Sequence, residues 1–231
     1  MDPNIKVVVN LFSSEQFEKE SKEAEEPKQG LKMWEKDVIS KYFPEKSYIL
    51  DIGCGTGREA FYLYDMSHKI TAMDISDYKI EISKQSESKS DRKIELVLTD
   101  GLDLPFESNT FDVVIIWSQT FGLFYNEDNQ MHLLKECNRV LKSKGVLSFS
   151  GHDIKFLKIK YPQYLDGNKF LAYAEAGNYW EAFTIPQMKD LAEKAGFEVL
   201  DCQKGKVYSE EDGTILHCEC RKTVPAEVTV S

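Results

Sequence analysis

The sequence predicts an α/β fold, a doubly wound and mostly parallel sheet closed by an antiparallel C-terminal hairpin. Three observations predict it. Short apolar strands alternate with helix-patterned segments over residues 48–150. Acidic residues end three successive strands, and a glycine turn follows the first of them. The chain has 231 residues, enough for one large domain. With 42% hydrophobic and 29% charged residues it has the composition of a globular chain, not a disordered one. The longest purely apolar run, 113–117, falls far short of the ~20 residues that cross a bilayer. Met1-Asp2-Pro3-Asn4 lacks the basic-then-apolar order of a signal peptide, so the expected location is cytoplasmic. A net charge of −10 disfavours nucleic acid and anionic membranes at long range, while leaving room for a local basic patch. Five cysteines without a framework spacing read as reduced thiols.

The elements follow in order. Residues 1–30 are read as a mobile arm or lid; their 13–30 part is polar and rich in Glu and Lys. Leu31, Trp34, Val38, Ile39 and Tyr42 recur at helical spacing until Pro44. Strands are predicted at 48–52, 69–75, 94–99, 111–117 and 146–150, with helices at 58–66, 77–87 and 127–141 between them. The β-branched 111–117 run predicts a central strand buried on both faces. An aromatic-rich cap is expected at 154–183, then a helix capped by Thr184 and stopped at Gly196. Strands at 197–202 and 214–220 close the domain through a Glu210-Glu211-Asp212-Gly213 turn, and 223–231 is a loose tail.

The stretch Asp51-Ile52-Gly53-Cys54-Gly55-Thr56-Gly57 carries most of the chemistry. Glycine allows a tight turn and lets a ligand approach the backbone. A dinucleotide fingerprint needs G-x-G-x-x-G, and Arg58 stands where its third glycine belongs. The loop therefore suits a nucleoside without a pyrophosphate, and Asp51 suits a cationic one. Asp74 lies 23 residues further on, at the place from which a carboxylate accepts ribose hydroxyls. Asp100, followed by Gly101, ends the third strand within reach of an adenine amine.

The 49–57 run, Asp74, Thr99-Asp100-Gly101 with Leu104-Pro105-Phe106, Phe111-Asp112-Val113-Val114, and Glu136 with Arg139-Val140-Leu141-Lys142 and Gly145 together resemble the class I S-adenosylmethionine-dependent methyltransferases. The similarity is greatest to their small-molecule, type 11-like branch and covers residues 31–222. It implies a Rossmann-like, seven-stranded sheet and S-adenosyl-L-methionine as cofactor, leaving as S-adenosyl-L-homocysteine. It implies that Asp51, Gly53, Cys54, Gly55 and Gly57 hold the methionine moiety and ribose edge. Asp74 then takes the ribose diol, Ile75 packs on adenine, and Asp100, Gly101 and Leu102 bind its amine and ring. Trp117, Ser118 and Gln119 border the methyl group.

His152 is the candidate base, because an unperturbed imidazole titrates near neutrality. Asp153, Tyr161, Tyr173, Tyr179 and Trp180 are candidates for an acceptor pocket whose aromatic faces also suit a cationic amine. His217-Cys218-Glu219-Cys220 alternates along a strand, so its four side chains cannot converge on one metal ion. The reading is a methyltransferase for a small organic acceptor. The alternatives are a catalytically silent cofactor-binding partner or regulator and, further off, an NAD-dependent oxidoreductase. Methyl transfer in an extract separates the first two, and cofactor binding excludes or admits the third.

Overall fold

A computed structural model describes Val8 and residues 30–89, 91–171, 179–205 and 215–223. Helix α1 (Met33–Tyr42) leads into β1 (Tyr48–Ile52), α2 (Arg58–Asp65), β2 (Lys69–Asp74), α3 (Asp77–Ser88) and β3 (Glu95–Leu98). Then come β4 (Phe111–Ile116), a 3-10 turn (Thr120–Leu123), α4 (Glu127–Val140), β5 (Leu141–Asp153) and α5 (Ile154–Lys160). The two-residue strands β6 (Leu165–Asp166) and β7 (Lys169–Phe170) precede β8 (Trp180–Phe183). Helix α6 (Ile185–Lys194) and strands β9 (Phe197–Lys204) and β10 (Ile215–Lys222) complete the chain.

The main sheet has the order β3-β2-β1-β4-β5-β10-β9. Its first five strands pair in parallel, and β10 runs antiparallel between β5 and β9. Seven strands with one reversed match the expected class. Strand β4 sits inside the order, and Val113–Ile116 have no exposed surface at all. One apolar layer joins β1, β4 and β5 to α4 and α6 through Leu50, Val114, Leu134, Phe149 and Met188. The other faces α1 and α2 through Trp34, Val38, Ile49, Leu63 and Ile115.

Two differences from the sequence reading have physical causes. Strand β5 begins at Leu141, directly after α4, and ends only at Asp153. Its outer ends are polar and glycine-containing, so only the apolar middle registered as a strand. The cap, to which the sequence reading assigned no elements, also carries short strands. Beyond the end of β4, β8 continues on that side of β5, pairing Ala182 with His152 and Phe183 with Asp153. Strand β7 adds to β8 and β6 to β7, both antiparallel. Gly122 permits this: a Cβ there would lie 2.5 Å from the Glu181 carbonyl oxygen. Two-residue strands carry no period that a sequence can show.

Candidate cofactor and acceptor site

The C-terminal ends of β1, β2 and β4 converge on one cleft, where open α/β sheets bind ligands. Gly53 and Cys54 donate their N–H groups to the Met73 carbonyl, which turns the chain sharply after β1. Gly53 has φ +77°, and a Cβ on it would lie 2.4 Å from Thr120 Cγ2. Any larger residue would therefore be strained and displace the β4 turn. Asp74 accepts from Gly55 N at 2.8 Å and from Ser76 N at 2.9 Å, so one carboxylate ties the glycine loop to the start of α3. Its remaining lone pairs are left for a ligand.

Asp51 is 2% exposed, and its Oδ2 is buried without a hydrogen-bond partner among the described residues. Burial pushes this carboxyl well above the usual range, and Glu59, Asp74 and Glu35 add to the shift while Arg58 opposes it. Arg58 forks onto Glu35 at 2.8 and 2.9 Å, pairs with Glu59, donates to the Gly30 carbonyl at 2.9 Å and reaches Ser118 Oγ at 3.1 Å. Carboxylates thus outweigh this guanidinium around the unpartnered oxygen, a setting that a cationic group relieves. Sequence reasoning used Arg58 only to exclude a dinucleotide. It missed Glu35 and Glu59, whose only signal was an acid on the apolar stripe of a helix.

Beside these acids lies a slot that opens to solvent at its mouth. Val8, Met73, Ile75, Leu123 and Phe124 give it apolar walls, with Gly53 and Gly101 where the backbone approaches and Asp100 at its polar edge. The slot fits a planar purine. Its acids fit the ribose and the positive charge of S-adenosyl-L-methionine. Thr99, Thr120, Leu123 and Phe124 were not foreseen, since nothing local marks a loop residue that the sheet brings home.

Several side chains depart from the sequence expectation. Trp117 does not border the cleft: it is 1% exposed, donates to Ser148 Oγ at 2.8 Å and packs on Trp34 and Phe43. The Cys54 thiol turns down into the α1–α2 layer, leaving only its backbone at the loop. Leu102 packs against the opposite core layer and is not part of the slot wall. Asp153 caps α5 by accepting from Lys155 N at 2.9 Å, which is a folding role. Tyr161 closes the other end of that helix and packs on the cap's own apolar cluster.

Ser118 and Gln119 follow the C-terminal end of β4 without lining the slot, both with left-handed backbone (φ 52° and 61°). Ser150 Oγ accepts from Gln119 N at 3.1 Å, and Ser118 Oγ donates to Glu59 at 2.8 Å. Consecutive non-glycine residues in this region are held only where their surroundings over-determine them. Tyr179 stacks on Tyr125 at 4.1 Å, and Tyr125 and Tyr179 share a cluster with Val8, Ile75, Leu123 and Trp180. His152 lies edge-on to Phe170 at 5.2 Å and to Trp180 at 6.2 Å. Burial, with the Lys32 charge adding, pushes its imidazole down to about 3, and its Nδ1 is sealed without a partner. It is neutral at physiological pH and poorly basic, which corrects the expectation of a poised base. Tyr173 and most of the N-terminal arm lie outside the described residues.

On strand β10, His217 bonds Glu219 at 2.9 Å on one face while Cys218 and Cys220 sit 3.7 Å apart on the other. The tetrad is divided between faces, as alternation requires.

Comparison with known proteins agrees with this geometry. Residues 49–145 match the family model described as a methyltransferase domain. A demethylmenaquinone methyltransferase of Bacillus cereus is 32% identical over 192 residues, covering 74% of this chain and 78% of its own. A S-adenosylmethionine-dependent methyltransferase from Methanosarcina mazei shares the fold with a TM-score of 0.72, 22% identity and coverage of 85% of this chain and 100% of its own. The Burkholderia thailandensis 1,6-didemethyltoxoflavin-N1-methyltransferase, crystallised with its acceptor and S-adenosylhomocysteine, superposes with a TM-score of 0.70, 18% identity and coverage of 97% and 92%. The chain belongs to the S-adenosylmethionine-dependent methyltransferases.

Proposed function

We propose that this enzyme transfers a methyl group to a flat, ring-containing small molecule held under the aromatic cap. The observation that carries the reading is the pairing of the unpartnered, buried Asp51 oxygen with the apolar slot edged by Asp100. One element of that pair answers a cation and the other a purine. Asp74 would hold the ribose diol while keeping the loop closed, and Ile75 would cover one face of the base. The sulfonium of the bound cofactor supplies an electrophilic methyl that needs no further activation. What the chain adds is alignment and exclusion of water, which can be worth about 7–11 kcal/mol in favourable cases. Trp180, Phe170 and the neutral His152 ring stand edge to face within the cap and offer an aromatic wall. At this wall His152 can accept a hydrogen bond and orient an acceptor hydroxyl or amine. The Bacillus relative, by its name, methylates a demethylmenaquinone, and the Burkholderia protein is crystallised with 1,6-didemethyltoxoflavin. Both support a planar ring as the substrate class.

Calorimetric titration with S-adenosyl-L-methionine, S-adenosyl-L-homocysteine and NADH tests the site. Micromolar binding of the first two and none of the third is expected. Asp74→Ala should weaken both by at least about tenfold, one charge-assisted bond being worth roughly 1.5–3 kcal/mol. Unchanged affinity in the variant would refute the ribose assignment. Methyl transfer to quinols and other hydroxylated rings, followed by mass, then tests the acceptor class.

A further inference from the structure

Helix α5 carries a surface that joins an exposed apolar side chain to exposed lysines. Its inward side, Ile154 and Leu157, is buried against Ala182 and continues through Tyr161 and Phe170. Its outward side is Lys155, Lys158 and Ile159, all exposed, with exposed Lys160 beside them. Residues spaced three and four apart lie together on a helix, so Lys155, Lys158 and Ile159 form one patch. Ile159 is 79% exposed, the most exposed large apolar side chain among the described residues. Tyr164, 44% exposed, follows one short turn later. Lys204 lies 4.6 Å from the centre of the Phe156 ring at the rim. Residues 154–170 hold four lysines and one aspartate, a net +3 within a chain of net −10.

From this we infer that the α5 corner docks on an anionic lipid surface. An apolar tip ringed by lysines matches what an anionic bilayer offers: Ile159 reaches the acyl boundary, Tyr164 sits at headgroup level, and the lysine heads meet phosphates. Charge decides the sign of the partner, since a neutral or cationic surface gains nothing from the exposed Lys155, Lys158 and Lys160. Shape decides its kind. Ile159 and Tyr164 are two projecting side chains, far below the roughly 800 Å² per partner of a stable protein interface, whereas a deformable bilayer needs no matching surface. Position gives the docking a purpose. Helix α5 leaves β5 at Asp153, on the same sheet edge as the cleft, so a docked molecule turns its acceptor side toward the lipid. That purpose rests on the methyltransferase reading; the docking itself does not.

Co-sedimentation of the full chain with vesicles tests it, without any turnover. Vesicles of phosphatidylcholine containing phosphatidylglycerol should pull the protein down at low salt, and phosphatidylcholine alone should not. High salt should release it, because exposed charges are screened within a Debye length. Lys155→Glu combined with Lys158→Glu should lower partitioning by at least about tenfold, each lysine being worth several-fold near an anionic surface. Ile159→Asp should also lower it, and Met66→Asp, at an exposed apolar residue beyond α2, should not. Circular dichroism and cofactor titration of each variant establish that it is folded. Absence of binding, equal binding to neutral vesicles, or binding untouched by the lysine reversals would overturn the inference. Concentration-dependent dimerisation abolished by Ile159→Asp, without vesicle binding, would assign the corner to self-association instead. A protein that binds vesicles but not S-adenosyl-L-methionine would keep this inference and refute the proposed function, and the converse result would do the opposite.

Discussion

Arg58 shows how one side chain can tie four segments of the chain together around a cleft. It joins α1 through Glu35, its own helix through Glu59, the chain before α1 through the Gly30 carbonyl, and the β4 turn through Ser118. Glu35 is wholly buried and Glu59 is 5% exposed. Removing a partner from such a group leaves an uncompensated charge, which typically costs about 3–5 kcal/mol. Arg58→Met should therefore lower the unfolding free energy measured in urea by that amount, and adding Glu35→Gln and Glu59→Gln should restore much of it. The single variant should also release the left-handed Ser118–Gln119 turn and weaken cofactor binding. At this scale the sequence was legible only in part. Asp51, Asp74 and Asp100 stood out because strand ends fix where their side chains go. Trp117 did not follow the same logic: a residue one step past a strand can point to either side, and the Ser148 hydroxyl drew its indole into the core.

The elements themselves were largely readable, because their signals are local. Thr184 accepts from Gln187 N, and Gln187 reaches back to the Thr184 N–H at 2.9 Å, a reciprocal cap at the start of α6. Met188, Leu191 and Ala192 then repeat at helical spacing into the core. Thr184→Ala should cost about 1 kcal/mol, measured as a shift in unfolding free energy at constant slope. Gly196, with φ +87°, ends the helix as its position suggested. The cap was not readable in this way. Strands β6, β7 and β8 exist through pairing with one another and with the far end of β5, so no window of sequence contains their cause. Helix α5 was missed for a related reason: seven residues, Ile154–Lys160, are too few to display a period among lysines.

For the whole molecule, two histidines contribute to the response to acid. His152 is held at about 3, and burial lowers His68 as well; its Nδ1 accepts from Ser47 N at 3.1 Å and must stay neutral to do so. Below pH 6.5 the unfolded chain binds protons on these imidazoles that the folded chain does not. Stability is thus fully present above that value and is lost as pH falls, by up to about 1.4 kcal/mol per pH unit for each group. Asp51 acts in the opposite direction, since its raised carboxyl takes up a proton in the folded state first. His152→Phe removes one descending contribution. Urea unfolding at pH 7.5 and pH 5 should show a smaller loss on acidification in the variant than in the parent. An equal loss would mean that His152 is already protonated, and therefore solvated, in the folded protein.

The place of β10 has a bearing on how the chain acquires its structure. The last described strand is an interior one: it enters between β5 and β9 and hydrogen-bonds to both. During synthesis the sheet therefore waits, with β5 presenting an open edge, until residues 215–222 arrive. An open edge of that length is a template for pairing with another molecule. The insertion also has a built-in guide to register. His217 and Glu219 must meet Ser148 and Trp34, while Cys218 and Cys220 must meet the Met188 side. A slip by one residue would drive a carboxylate into that apolar layer. The two faces of β10 thus fix its register, and a chain lacking residues 215–222 would leave that edge of β5 unpaired and open to other molecules.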